Sequence, residues 1–153
     1  MKALELKIPP PVIALLVAVS MWFARRYAPS LGLAIPWRTA LAIGLVILGI
    51  ALALAGVLAF REAKTTVNPL KPEATSSVVA TGIYRFTRNP MYLGMLVVLV
   101  GWAVFLANGI SFLLPALFVL YMNRFQIGPE ERVLAAHFGS EYANYMKSVR
   151  RWL

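Results

Sequence analysis

The chain has no cysteine and no aspartate, and only one histidine, His137. Without cysteine there can be no disulfide, thiolate metal site or cysteine nucleophile. With one histidine and no aspartate, neither a protein-built metal centre nor a Ser-His-Asp triad is expected. Charge is also scarce: 14% of residues are charged against 60% apolar. A mean hydropathy of +0.73 agrees, and both figures are wrong for a soluble globule. At 153 residues the chain is one domain.

What it does have is long uncharged runs. Ile8 to Ala24 follows Pro9-Pro10-Pro11 at its start and leads into Arg25-Arg26, with no small-residue cleavage pattern, so it reads as a membrane helix rather than a leader peptide. Thr39 to Phe60 is long enough to cross a hydrocarbon core of about 30 Å. Its recurring small residues, Ala40, Gly44, Gly49, Ala53 and Gly56, mark a close helix contact, and a dimer through that face stays open. Asn89 to Asn123 carries no charge at all. As one helix it would measure roughly 52 Å, too long for one crossing, and Asn108-Gly109 near its middle is a turn signal. The expectation is an all-α membrane protein with four transmembrane helices at 8–25, 38–60, 90–107 and 110–126. The last two form a tight hairpin, with Pro115 able to kink its second arm. A cytosolic connection spans 61–89, and Gly128-Pro129 is expected to break the fourth helix before an amphipathic cytosolic helix over 130–150, which Gly139 interrupts and can bend.

With four crossings, twelve of the fifteen basic residues share one side with both termini, against Arg25, Arg26 and Arg38 opposite. The positive-inside rule puts the ends and the 61–89 connection in the cytoplasm of a prokaryotic-type plasma membrane. The net charge of +9 therefore serves orientation and anionic headgroups, and nucleic acid is not an expected partner.

Polar chemistry collects at that cytoplasmic end. Asn89-Pro90 is a helix start in which the Asn side chain should cap free amides and Pro fits the first position. Arg85 and Arg88 flank it, Tyr84 and Tyr92 lie close in sequence, and Pro129-Glu130-Glu131 opens the tail helix. That set would meet a ligand carrying a carboxylate, an ammonium and a further positive centre.

From about Thr65 onward the chain resembles the integral-membrane methyltransferases typified by isoprenylcysteine carboxyl methyltransferase, with phospholipid methyltransferases as relatives. The matching text is Thr66-Val67-Asn68-Pro69, Thr81-Gly82-Ile83-Tyr84, Arg88-Asn89-Pro90-Met91-Tyr92-Leu93-Gly94, and Glu130-Glu131 followed by Leu134, Phe138-Gly139, Tyr142, Tyr145 and Val149-Arg150-Arg151-Trp152. The resemblance implies S-adenosyl-L-methionine as cofactor, released as S-adenosyl-L-homocysteine. It implies a lipophilic acceptor dissolved in the lipid bilayer: a prenylcysteine-like carboxylate, a lipid amine or a thiol. It further implies that Ser76, Ser77, Val78, Val79, Tyr84, Arg88, Asn89, Pro90, Met91, Tyr92 and Gly94 line the cofactor, and that Glu130 takes its ammonium group. Where the prenylcysteine enzymes carry an arginine four residues before that glutamate, this chain has Gln126, and Arg124 is the candidate replacement. An amine acceptor would have to lose a proton, with Glu131, Tyr92 or His137 as possible bases. The alternative function is a non-catalytic membrane assembly or lipid-binding protein.

Overall fold

The computed structural model describes residues 4–28, 31–63 and 75–153. The Thr66–Pro69 motif lies outside them. Among the described residues the chain is all helical: α1 Pro10–Tyr27, α2 Arg38–Glu62, a short 3-10 turn Gly82–Arg85, α3 Pro90–Leu106, α4 Gly109–Tyr121, a π-helical turn Met122–Ile127, α5 Gly128–Phe138 and α6 Ser140–Ser148.

α1 starts two residues later than expected. Pro9 is its N-cap and Pro10 its first residue, because proline is tolerated in a first turn, where its missing N–H costs no intrahelical bond. α2 and α3 pack along most of their length, and small residues let them do so. A Cβ on Gly49 would lie 2.6 Å from the Gly94 carbonyl oxygen, and one on Gly56 would lie 2.9 Å from the Met91 side chain. Gly44, on the same helix, has nothing within 4 Å, whereas Gly49, Ala53 and Gly56 make the close contact, which continues where Gly101 of α3 meets Ala42, Leu45 and Val46. The other face of α2 presents Ile43, Ile47, Ile50, Leu54 and Leu58 outward. Only 17% of its most apolar stretch is buried, which a core helix of a soluble protein would not tolerate.

α1 packs on α3 and α4 around a core of Ile13, Met21, Leu99, Ala103 and Phe118. The polar groups among them are satisfied by α1 carbonyls. Trp102 Nε1 donates to Ala18 O at 3.0 Å, and Ser111 Oγ donates to Met21 O at 3.1 Å. α3 and α4 meet at Ala107-Asn108, where Asn108 Oδ1 accepts from Ile110 N and Ser111 N and its Nδ2 donates to Ala28 O at 2.8 Å. Leu33 N donates to Ala107 O at 2.7 Å. The connection after α1 and the α3–α4 turn therefore lie at one end of the bundle, and the 3-10 turn, the π turn and the tail lie at the other.

Two expectations about the tail are corrected. Gly128-Pro129 does not break the fourth helix; α4, the π turn and α5 run on as one helical rod over Gly109–Phe138. The proline is absorbed by widening the helix just before it, where its missing N–H and its ring would otherwise disrupt the ladder. Nor is there one helix over 130–150: Gly139, at φ 55°, separates α5 from α6, a conformation glycine adopts without steric cost. By length and composition two helices could cross a membrane, Arg38–Glu62 and Gly109–Phe138, while α3, at 17 residues, is a shorter apolar helix.

Candidate active site

The start of α3 is built differently from the sequence expectation. The Asn89 side chain does not cap its helix. Its Nδ2 donates to Arg151 O at 2.9 Å, and Asn89 N donates to Thr87 Oγ1 at 3.2 Å. Arg88 N donates to Arg150 O at 3.0 Å, so the chain end lies as an extended clasp across residues 87–89. Two other bonds hold the clasp: Trp152 Nε1 to Asn123 Oδ1 at 3.0 Å, and Tyr145 OH to Tyr84 O at 2.8 Å. Tertiary pairing replaced the local cap because the tail carbonyls needed donors as much as the helix start needed acceptors.

The adjacent glutamates then part company. Glu131 is held between two guanidinium groups, Arg88 at 2.9 Å on one oxygen and Arg151 on both. Arg88 also donates to Met146 O at 3.0 Å, and its Nε is buried without a partner among the described groups. Among the described residues Glu130 meets no cation. Its Oε1 accepts from Tyr92 OH and from Gln126 Nε2, each at 2.6 Å. Glu130 stands 21 residues past Gly109, about 32 Å along the rod, which puts it at the edge of the roughly 30 Å that a bilayer core would cover. Burial pushes its carboxyl up from 4.5 to about 7, against the opposing pull of the Tyr92 and Gln126 bonds, with Glu131 adding to the rise.

Beside this pair is a cavity of about 70 Å³. Ser77, Val78, Val79, Tyr84 and Arg88 line it from the connection before α3, and Leu134, Tyr142 and Tyr145 from α5 and α6. Phe60 closes it with an edge-on contact to Tyr84, ring centroids 5.3 Å apart. Burial raises the phenols of Tyr84 and Tyr142 above their ordinary range and that of Tyr145 to about 12. These tyrosines are therefore neutral walls and donors, and cannot act as bases near neutral pH.

The remaining sequence candidates are less uniform. Pro90 and Met91 pack against Gly56, and Gly94 sits at the α2–α3 crossing against Gly49 and Ala53, a helix-packing position. Arg124 is half exposed and pairs with Glu5 at 3.2 Å, away from Glu130. His137 stands edge-on to Phe138. Sequence reading missed Gln126 as a partner of Glu130, Arg151 as a partner of Glu131, and Glu5 altogether. Glu5 left a signal as a lone acid between Lys2 and Lys7, and Gln126 left one in its four-residue spacing from Glu130.

The chain is similar to known methyltransferases. A family model described as phospholipid methyltransferase matches residues 37–141. That span holds every sequence-predicted site residue. An uncharacterized protein of Haemophilus influenzae is 44% identical over 63 residues, covering 41% of this chain and all of that one. Protein-S-isoprenylcysteine O-methyltransferase B of Arabidopsis thaliana is 29% identical over 113 residues, 74% of this chain and 57% of that protein. The Mus musculus protein-S-isoprenylcysteine O-methyltransferase is 30% identical over 115 residues, 75% of this chain and 41% of that protein. The chain spans about half the length of these two methyltransferases. No solved structure matches it significantly. Since the family match covers well over half of its length, the chain belongs to the phospholipid methyltransferase family.

Proposed function

We propose that the chain moves a methyl group from S-adenosyl-L-methionine to a lipophilic acceptor dissolved in the bilayer. The observation that carries this reading is the Tyr92–Glu130 bond at 2.6 Å, which joins the α3 start to the acidic turn of α5 at one end of the bundle. An amino-acid-like cofactor needs a carboxylate partner, a cation partner and a polarisable wall, and all three stand side by side here. Glu130 would take its ammonium group, Arg88, with its unpartnered Nε–H, its carboxylate, and the rings of Tyr84, Tyr142 and Tyr145 would face its positive sulfur. The cavity alone is smaller than the roughly 300 Å³ of a cofactor-sized site, so it would receive only part of the molecule.

When bound, the cofactor supplies an activated methyl group on sulfonium. The chain's own task is alignment and exclusion of water, to which the aromatic wall and the tail clasp contribute. A second, apolar cleft of about 340 Å³ opens between α1, α2 and α3, lined by Leu15, Ala18, Gly49, Ile50, Ala53 and Met95 among others. It begins about one helical turn beyond Tyr92 and would receive the acceptor's hydrocarbon part. A carboxylate or thiolate acceptor needs no base. An amine would have to arrive deprotonated, because Glu131 is committed to its two arginines and Glu130 to the cofactor's ammonium group, with the Tyr92 hydroxyl already donating to it. Arg124, engaged with Glu5, is poorly placed to hold an acceptor's carboxylate.

The test is calorimetry of the detergent-purified protein with S-adenosyl-L-homocysteine. Transfer of radiolabelled methyl groups to lipid extracts and prenylcysteine analogues then follows. Binding is expected. Its absence at millimolar ligand would sink the reading in favour of a non-catalytic lipid-binding protein.

A further inference from the structure

Pro129 has no N–H, so the Phe125 carbonyl four residues earlier loses the donor that an α-helix would bring it. The helix widens there into the π turn Met122–Ile127, and Leu6 N, from the segment before α1, donates to Phe125 O at 3.0 Å. To reach it Leu6 takes φ 56°, a conformation that a non-glycine residue keeps only when its surroundings impose it. Glu5 beside it accepts from Arg124 on one oxygen and from Arg132 on the other, so one carboxylate brackets the turn from both sides. The Glu5 side chain is 14% exposed, but its partners are 50% and 60% exposed. Pairs with partners so exposed contribute little to stability, which directs attention to what they place. Inside the same turn Gln126 is buried and donates to Glu130 at 2.6 Å.

We infer that Glu5 and Leu6 form a hook that fixes the π turn and so sets where Gln126 and Glu130 stand. Glu5 is a positioning residue, and Arg124 acts through it from outside the site. The consequence for cofactor binding rests on the methyl-transfer reading; the hook itself does not. Pro129→Ala offers an independent handle, because it returns an N–H that competes with Leu6 for Phe125 O.

The experiment compares the unsubstituted protein with Glu5→Gln, Pro129→Ala, the double variant and the conservative Glu5→Asp in detergent. Hydrogen exchange and calorimetric binding of S-adenosyl-L-homocysteine are the two readouts. Each of the first two variants is expected to exchange about tenfold faster at Leu6 and across 122–131, and to bind the ligand about fivefold more weakly. The double variant should be no worse than the stronger single one, since both disable one device. Glu5→Asp should restore most of the protection. Unchanged exchange over 122–131 in Glu5→Gln overturns the hook. A loosened turn with unchanged affinity overturns the positioning role. If the unsubstituted protein fails to bind the ligand, the methyl-transfer reading falls, and the exchange result alone decides the hook. Should Glu5→Gln not fold, Arg132→Gln, which removes one of the two pairs, takes its place with the same readouts.

Discussion

Glu130 carries opposing demands in one side chain. A carboxyl raised by burial binds its proton more tightly in the fold than in the unfolded chain. Its contribution to stability is therefore present below its ordinary 4.5 and is lost as pH climbs through about 7. Glu130→Gln removes the ionisation and keeps the shape. In detergent the variant should out-melt the unsubstituted protein at pH 8 by a margin worth about 1–3 kcal/mol, shrinking towards pH 5. Equal margins at both pH values would contradict the burial account. The same variant should bind S-adenosyl-L-homocysteine at least about tenfold more weakly, a trade of function against stability. Tyr92→Phe deletes a donor to this carboxylate, which costs about 1.5–3 kcal/mol when the acceptor is charged. Because that bond lowers the Glu130 pKa, its loss should move the acid limb of the ligand-binding pH profile upward; an unmoved limb would detach Tyr92 from the site.

Among the elements, α2 and α3 are joined by missing side chains. A Cβ at Gly94 would collide with the Gly49 carbonyl and Ala53 backbone, whereas one at Gly44 would meet nothing. Gly94→Ala should therefore lower the melting free energy by about 1–3 kcal/mol or more, and Gly44→Ala should change it by less than about 1 kcal/mol in either direction. Similar losses at both positions would refute the crossing. The helix-forming runs and the small-residue contact were legible in the sequence, because apolar length, helix signals and glycine spacing are local. Asn89 shows where that legibility ends. Asn-Pro at a helix start predicts a cap, yet the side chain is used by Arg151 O, more than sixty residues away. Pro129 shows the same limit: proline after glycine reads as a break, but a π turn kept the rod intact. Arg151 found its acidic partner Glu131 through packing that no spacing rule encodes, whereas Gln126 meets Glu130 at the four-residue step of one helix.

For the whole molecule the question is which end faces the cytoplasm. Asn108 and Leu33 tie the α3–α4 turn to the connection after α1. Leu6, Phe125, Arg88 and Arg150 gather at the opposite end through the hook and the tail clasp. Chain ends that alternate in this way suit a bundle crossed four times, although α3, at 17 residues, is only about 25 Å long. Such a helix would be accommodated by local thinning of the bilayer or by flanking side chains that reach the interface. The end that holds Arg85, Arg88, Arg132, Lys147, Arg150 and Arg151 is the one that the charge rule would keep in the cytoplasm, opposite Arg25, Arg26 and Arg38. A chain without cysteine makes the test direct, since each introduced thiol is the only one present. In intact spheroplasts a membrane-impermeant maleimide should label Ala34→Cys, while Ser148→Cys should react only after lysis. Labelling of both from outside would deny the crossings between them. Labelling of Ser148→Cys alone would invert the bundle and put Arg88, Glu130 and the aromatic cavity outside, away from any cofactor dissolved in the cytosol.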